Sequence, residues 1–83
     1  MKALYFASVR ERVGRAEEDL DPPRDISTLA ELMGWLAGRG EGYAVAFSTP
    51  DGVRAAIDHA HARGDATIAG AREIAFFPPM TGG

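Results

Sequence analysis

Apolar residues in this chain gather in short runs, separated by charged, glycine-rich or proline-rich breaks. The first run, Lys2 to Val9, is apolar and aromatic and is bounded by charge, so it reads as a strand. Alternation would place Leu4 and Phe6 on one face and Ala3, Tyr5, Ala7 and Val9 on the other. Both faces are apolar: either protein covers both, or one is a docking surface. Arg10 to Val13 reads as a helical turn stopped by Gly14, and Glu17 to Leu20 as a short second strand ended by Asp21-Pro22-Pro23.

The strongest periodic signal follows. Thr28 stands at an N-cap position with Glu31 three residues later, the spacing of a capping box. Leu29, Leu32, Met33 and Leu36 fall at i, i+3, i+4 and i+7, one apolar stripe of a helix. Gly34 inside it costs about 1 kcal/mol relative to alanine, which packing must offset. Gly38, Gly40 and Gly42 end the helix, and Trp35 sits beside the stripe as an edge residue. Tyr43 to Phe47 is apolar and reads as strand or irregular core. Thr49-Pro50-Asp51-Gly52 is a turn, Val53 to Ala60 a strand, Arg63-Gly64-Asp65 a second turn, Ala66 to Ile68 a short strand and Gly70 a bend. Arg72 to Phe77 is the last strand, with Ile74 and Phe76 on one face and Ala75 and Phe77 on the other.

Two opening strands, one helix and a returning set of strands predict an α+β fold, with one main helix laid across a mixed sheet. The final strand is expected inside that sheet. No linker is long enough to divide the chain, so residues 1–83 form one expected domain with a flexible tail, 78–83.

Charge and composition narrow the function. The net charge is −3, which disfavours nucleic acid, whose binders carry a basic stripe. Arg10, Arg12 and Arg15 are offset by Glu11, Glu17, Glu18, Asp19 and Asp21. There is no cysteine, hence no disulfide, thiolate nucleophile or cysteine-based metal site, and a small unstapled domain suits a reducing cytoplasm. No apolar run is long enough to span a membrane. Asp58, His59, His61 and Asp65 match no metal-loop spacing, and the histidines read as surface or edge residues. Ser8, Ser27 and Ser48 lie in no nucleophile setting, and Gly38-Arg39-Gly40-Glu41-Gly42 lacks the strand and helix that flank a phosphate loop.

What remains is the end of the sequence, Phe76-Phe77-Pro78-Pro79-Met80-Thr81-Gly82-Gly83. A Pro-Pro pair stiffens the exit from the last strand. A diglycine beyond it presents a thin profile able to thread a narrow channel, and its carboxylate can itself be the reactive group.

Glu73 to Gly83 resembles the C-terminus of the small, sulfur-carrying subunits of molybdopterin synthase, the MoaD branch of the ubiquitin-like sulfur carriers. Leu4-Tyr5-Phe6-Ala7 with Val9-Arg10-Glu11 resembles that family's first strand and following turn, and the length agrees throughout. The sequence departs from the family pattern at Ala71-Arg72, where Gly-Asp is frequent, at Asp58, where asparagine is frequent, and near His61.

The resemblance implies a ubiquitin-like β-grasp fold and a carrier role in molybdenum cofactor biosynthesis. Gly83, with Gly82 behind it, would be adenylated by an ATP-dependent activating enzyme and converted to a thiocarboxylate. The tail would then enter a large catalytic subunit and give its sulfur to cyclic pyranopterin monophosphate, in a two-plus-two heterotetramer. Phe6, Arg10, Phe77, Pro78, Pro79, Met80 and Thr81 would contact the partner. No bound cofactor, metal, nucleic acid or membrane is implied, and ATP would be used by the activating enzyme. The other readings are a related carrier for thiamine or tRNA thiolation, and a non-covalent ubiquitin-like interaction module.

Overall fold

A computed structural model describes residues 1–48 and 52–79. The elements run β1 (Lys2–Tyr5), α1 (Ala7–Val13), β2 (Glu17–Asp19), α2 (Leu29–Ala37), α3 (Glu41–Phe47), β3 (Arg54–Ile57), β4 (Ala60–Ala62) and β5 (Glu73–Phe77). The five strands form one mixed sheet in the order β2-β1-β5-β3-β4. Its centre is β5, parallel to β1 and antiparallel to β3. The expected α+β class and the interior position of the last strand are both observed.

Strand parity sets the two faces. Ala3, Tyr5, Ala55, Ile74 and Phe76 are fully buried on one side. Over them lie Val9 of α1, Leu29, Leu32 and Leu36 of α2, and Ala46 and Phe47 of α3, in one continuous core. Tyr5 stacks on Phe76 with ring centroids 5.9 Å apart, and Phe47 meets Phe76 edge-on at 5.1 Å. Aromatic pairs in such geometries add attraction beyond their buried area.

The helices follow from local chemistry. Thr28 caps α2: its hydroxyl accepts from the Glu31 amide, and the Glu31 carboxylate accepts from the amides of Ser27 and Thr28. These bonds hold the Glu31 carboxyl below its usual range, the Ser27 amide being the largest cause. Its apolar stripe faces the core, and Trp35 packs beside it half-buried. Gly14 closes α1 with φ +92°, a left-handed angle that glycine adopts freely, and its amide bonds the Arg10 carbonyl. Helices α1 and α3 pack so closely that a Cβ on Gly42 would collide with the Arg12 carbonyl oxygen.

Several sequence expectations change. The run Lys2–Val9 is not one strand: β1 ends at Tyr5 and α1 begins at Ala7, because Val9 reaches the core from a helix rather than from an extended chain. Tyr43 to Phe47 belongs to α3, with Tyr43, Ala46 and Phe47 at i, i+3 and i+4 turned inward. One main helix is thus joined by two short ones on the same face. Val53 to Ala60 splits into a hairpin, since Asp58 (φ +48°) and His59 (φ +74°) form a tight turn between Ile57 and Ala60. Ala66 to Ile68 makes a single bridge, Thr28 to Thr67, in place of a strand. The expected turn at Thr49-Pro50-Asp51 lies outside the described residues.

Asp58 has a further role. Its Oδ1 accepts from the backbone amides of Arg72 and Glu73, at 3.0 and 2.9 Å, and so fixes where β5 begins. An asparagine side-chain oxygen has the same acceptor capacity, so this departure from the family pattern leaves the contact available.

Candidate docking face and tail exit

Among the described residues, no helix covers the second face of the sheet. Leu4 (β1), Ala75 and Phe77 (β5) and Ala56 (β3) are half-buried there. Phe6 continues the β1 alternation in extended conformation, and its amide donates to the Phe76 carbonyl at 3.0 Å. That bond sets Phe6 beside Phe77 on the open face, with Phe6 48% exposed. Among the described residues, Phe6 and Val45 are the large apolar side chains most exposed. A contiguous apolar face of this kind marks a site of protein contact.

Register orders the face in rows. Asp19, Lys2 and Glu73 form the row at the start of β5. Glu17, Leu4, Ala75, Ala56 and His61 form the middle row. Phe6, Phe77 and Arg54 form the row where β5 ends. The face is therefore acidic at one end and aromatic with an arginine at the other, and the chain leaves through Pro78 and Pro79 at the aromatic end. His61 meets Phe77 edge-on at 5.7 Å, so the imidazole packs as a rim residue.

Of the residues expected to contact a partner, Phe6 and Phe77 fall together on the open face. Arg10 is exposed on α1, one turn beyond Phe6, and Pro78 and Pro79 are half-buried. Met80, Thr81, Gly82 and Gly83 lie outside the described residues. His59 stands in the hairpin turn, its Nε2 3.9 Å from a Glu73 carboxylate oxygen. Among the described residues, no three histidine, aspartate or glutamate side chains converge as metal ligands.

Sequence reading missed the polar cluster around Glu18. This carboxylate is only 5% exposed. It accepts from Tyr5 (2.8 Å), Tyr43 (2.6 Å), Arg39 (3.1 Å) and Arg15 (3.4 Å). Burial alone would raise its pKa, but the Tyr43 and Tyr5 bonds and the Arg39 charge outweigh that and hold it below the usual range. Burial first, then the hydrogen bonds they donate to Glu18, push both tyrosines upward, so they remain protonated donors. The Arg39 guanidinium also lies 5.2 Å from the Trp35 ring and 5.1 Å from the Tyr43 ring. Apart from Arg15, three residues away, the partners are distant in sequence, so no local spacing signals this cluster. It ties edge strand β2 to the helical layer and faces away from the open sheet.

The fold defines the class. The chain superposes on the crystal structure of SAMP1 from Haloferax volcanii with a TM-score of 0.74 at 22% identity, covering 100% of this chain and 98% of that one. A candidate molybdopterin converting factor, subunit 1, from Pyrococcus furiosus gives 0.65 at 17% identity, with 95% of each chain covered. The architecture is the ubiquitin-like β-grasp.

Residues 3–83 match the model of the ThiS family, and the chain belongs to that family. Over 100% of its length it is 34% identical to the molybdopterin synthase sulfur carrier subunit of Escherichia coli (strain K12), covering 99% of that protein. It is thus a MoaD-like member, as the tail and first strand suggested. No helix among the described residues is long and apolar enough to cross a membrane.

Proposed function

We propose that this chain is the sulfur-carrier subunit of a molybdopterin synthase. The observation that carries the reading is the position of β5. The strand that delivers the tail is clamped between β1 and β3 and ends beside the open apolar face. A partner docked on that face receives the tail at a fixed entry point. The end-to-end similarity to a molybdopterin synthase sulfur carrier subunit supports this choice among carriers.

The chemistry follows from the terminal group. A carboxylate is a poor electrophile, and joining Gly83 to AMP, with release of pyrophosphate from ATP, supplies a leaving group. A sulfur donor then displaces AMP and leaves a thiocarboxylate. Carried into the large subunit, that sulfur attacks cyclic pyranopterin monophosphate, and hydrolysis returns the carboxylate. This chain supplies a positioned nucleophile, and the partner supplies acids, bases and anion-binding groups. Pro78 to Gly83 spans at most about 20 Å when extended, enough to cross a subunit boundary. A two-plus-two heterotetramer with the large subunit, acting in the cytoplasm, completes the proposal.

Mass spectrometry tests it. With an activating enzyme, ATP and a sulfur donor, the C-terminal peptide gains the mass of oxygen replaced by sulfur. With the large subunit and the pterin precursor added, the carrier returns to its starting mass as product forms. Sulfur gain without that transfer redirects the assignment to thiamine or tRNA thiolation. Failure to gain sulfur favours the non-covalent module. Removing Gly83, or extending the chain past it, abolishes the gain while leaving the fold intact.

A further inference from the structure

Nine residues of this chain are lysine or arginine, and Lys2 is the single lysine among them. The other eight are arginines, whose guanidinium stays protonated and is no acyl acceptor at neutral pH, whereas lysine amines are the usual targets of acylation. That bias has a consequence for a protein whose own end is activated. An acyl adenylate reacts with any free amine: the amine nitrogen bonds the acyl carbon, AMP leaves, a proton is lost and an amide forms. Amide formation between two copies would consume the carrier irreversibly.

Lys2 is also poorly placed to react. Its Nζ is 2.8 Å from a Glu17 carboxylate oxygen, and Asp19 and Glu73 lie beside it in the same row of the open face. The hydrogen bond that Lys2 donates to Glu17, then the Glu17 charge, raise the ammonium above its ordinary pKa, keeping the nitrogen protonated. Lys2 pairs with Glu73, four residues before Phe77, so it stands about 13 Å along the strand from the tail exit. The α-amino group of Met1 donates to the Leu20 carbonyl at 3.0 Å.

We infer that this chain is built as a donor but not an acceptor of acyl groups, its surface cations being guanidinium and its one lysine held by Glu17 at the far end of the docking face. This rests on the carrier reading above, and it assigns Lys2 as the site of any residual self-acylation.

The test incubates the full-length protein with activating enzyme and MgATP, without a sulfur donor. Hydroxylamine in a parallel sample traps the adenylate as a hydroxamate. Absence of hydroxamate would overturn the carrier reading itself. With hydroxamate present, the wild type should form little amide-linked dimer, and the Lys2→Arg variant less still. A variant carrying Arg24→Lys, Arg63→Lys and Arg72→Lys, all exposed positions outside the docking face, should form about fourfold more or beyond, as side-chain amines rise from one to four. Equal dimer in wild type and the lysine-enriched variant would overturn the inference, as would residual wild-type linkage mapped away from Lys2.

Discussion

Phe76 and Phe77 are neighbours in sequence and opposites in circumstance. Phe76 is fully buried among Tyr5 and Phe47, whereas Phe77 lies half-buried on a face that none of the described helices covers, beside an exposed Phe6. Composition does not separate the two sides of the sheet, since both are apolar along β1 and β5. What separates them is which side the three helices reach. The covered side holds the fold together, and the uncovered side leaves apolar area exposed, where we propose that the partner docks.

The largest expected effect breaks that contrast directly. Phe76→Ala should destabilise the domain by about 3–5 kcal/mol in denaturant unfolding, the usual cost of emptying an aromatic core site. Phe77→Ala should cost far less stability but weaken binding of the large subunit by about 2 kcal/mol or more, roughly thirtyfold in Kd by calorimetry. Comparable stability losses in the two variants would show that the faces are equivalent.

Next come changes confined to the covered side. Gly42→Ala places a methyl group against the Arg12 carbonyl and should cost about 1–3 kcal/mol by overpacking, read in the same unfolding experiment. Glu18→Gln weakens the charge-assisted bonds from Tyr5, Tyr43 and Arg39 and should cost about 1–3 kcal/mol at pH 7. Its pH signature is specific. The folded Glu18 carboxyl lies below the unfolded value of about 4.3, so its contribution is complete above that pH and fades as pH falls through the folded value. Thermal melts from pH 7 down to 3 should therefore drop below about pH 4.3 in the wild type and less steeply in Glu18→Gln. The exposed Glu31, shifted in the same direction, leaves part of the slope in both.

The smallest effect sharpens the open side. His59→Gly relieves a left-handed backbone angle in the β3–β4 turn and should raise stability by about 1 kcal/mol, with partner binding unchanged. Lost binding would bring the hairpin turn into the docking surface.

Much of this was readable in advance, for identifiable reasons. The capping box at Thr28 and Glu31 and the stripe from Leu29 to Leu36 are local signals, and α2 formed as read. Alternation from Ile74 to Phe77 divided β5 into the two faces observed, but it did not say which of them turns to the core; the helices decide that. The misread segments lacked such signals. From Lys2 to Val9 every residue but the first and Ser8 is apolar, so period two and period 3.6 are indistinguishable there, and only the packing of Val9 decides. For α3 a helical spacing existed in Tyr43, Ala46 and Phe47, but the short run from Tyr43 to Phe47, just after Gly42, offered too little length to trust it. The β3–β4 hairpin carries no glycine at its turn, so nothing in Asp58-His59 announced the reversal. The Glu18 cluster joins segments up to 25 residues apart and belongs to tertiary structure alone.

The central place of β5 also governs how the molecule answers traction. A load applied to the chain at Phe77, while the flat side is gripped, runs along the strand axis. Ladders on both flanks then share it in shear, all bonds at once, instead of peeling open one by one as an edge strand would. A strand held on both flanks in this way resists extraction better than one at the margin of the sheet.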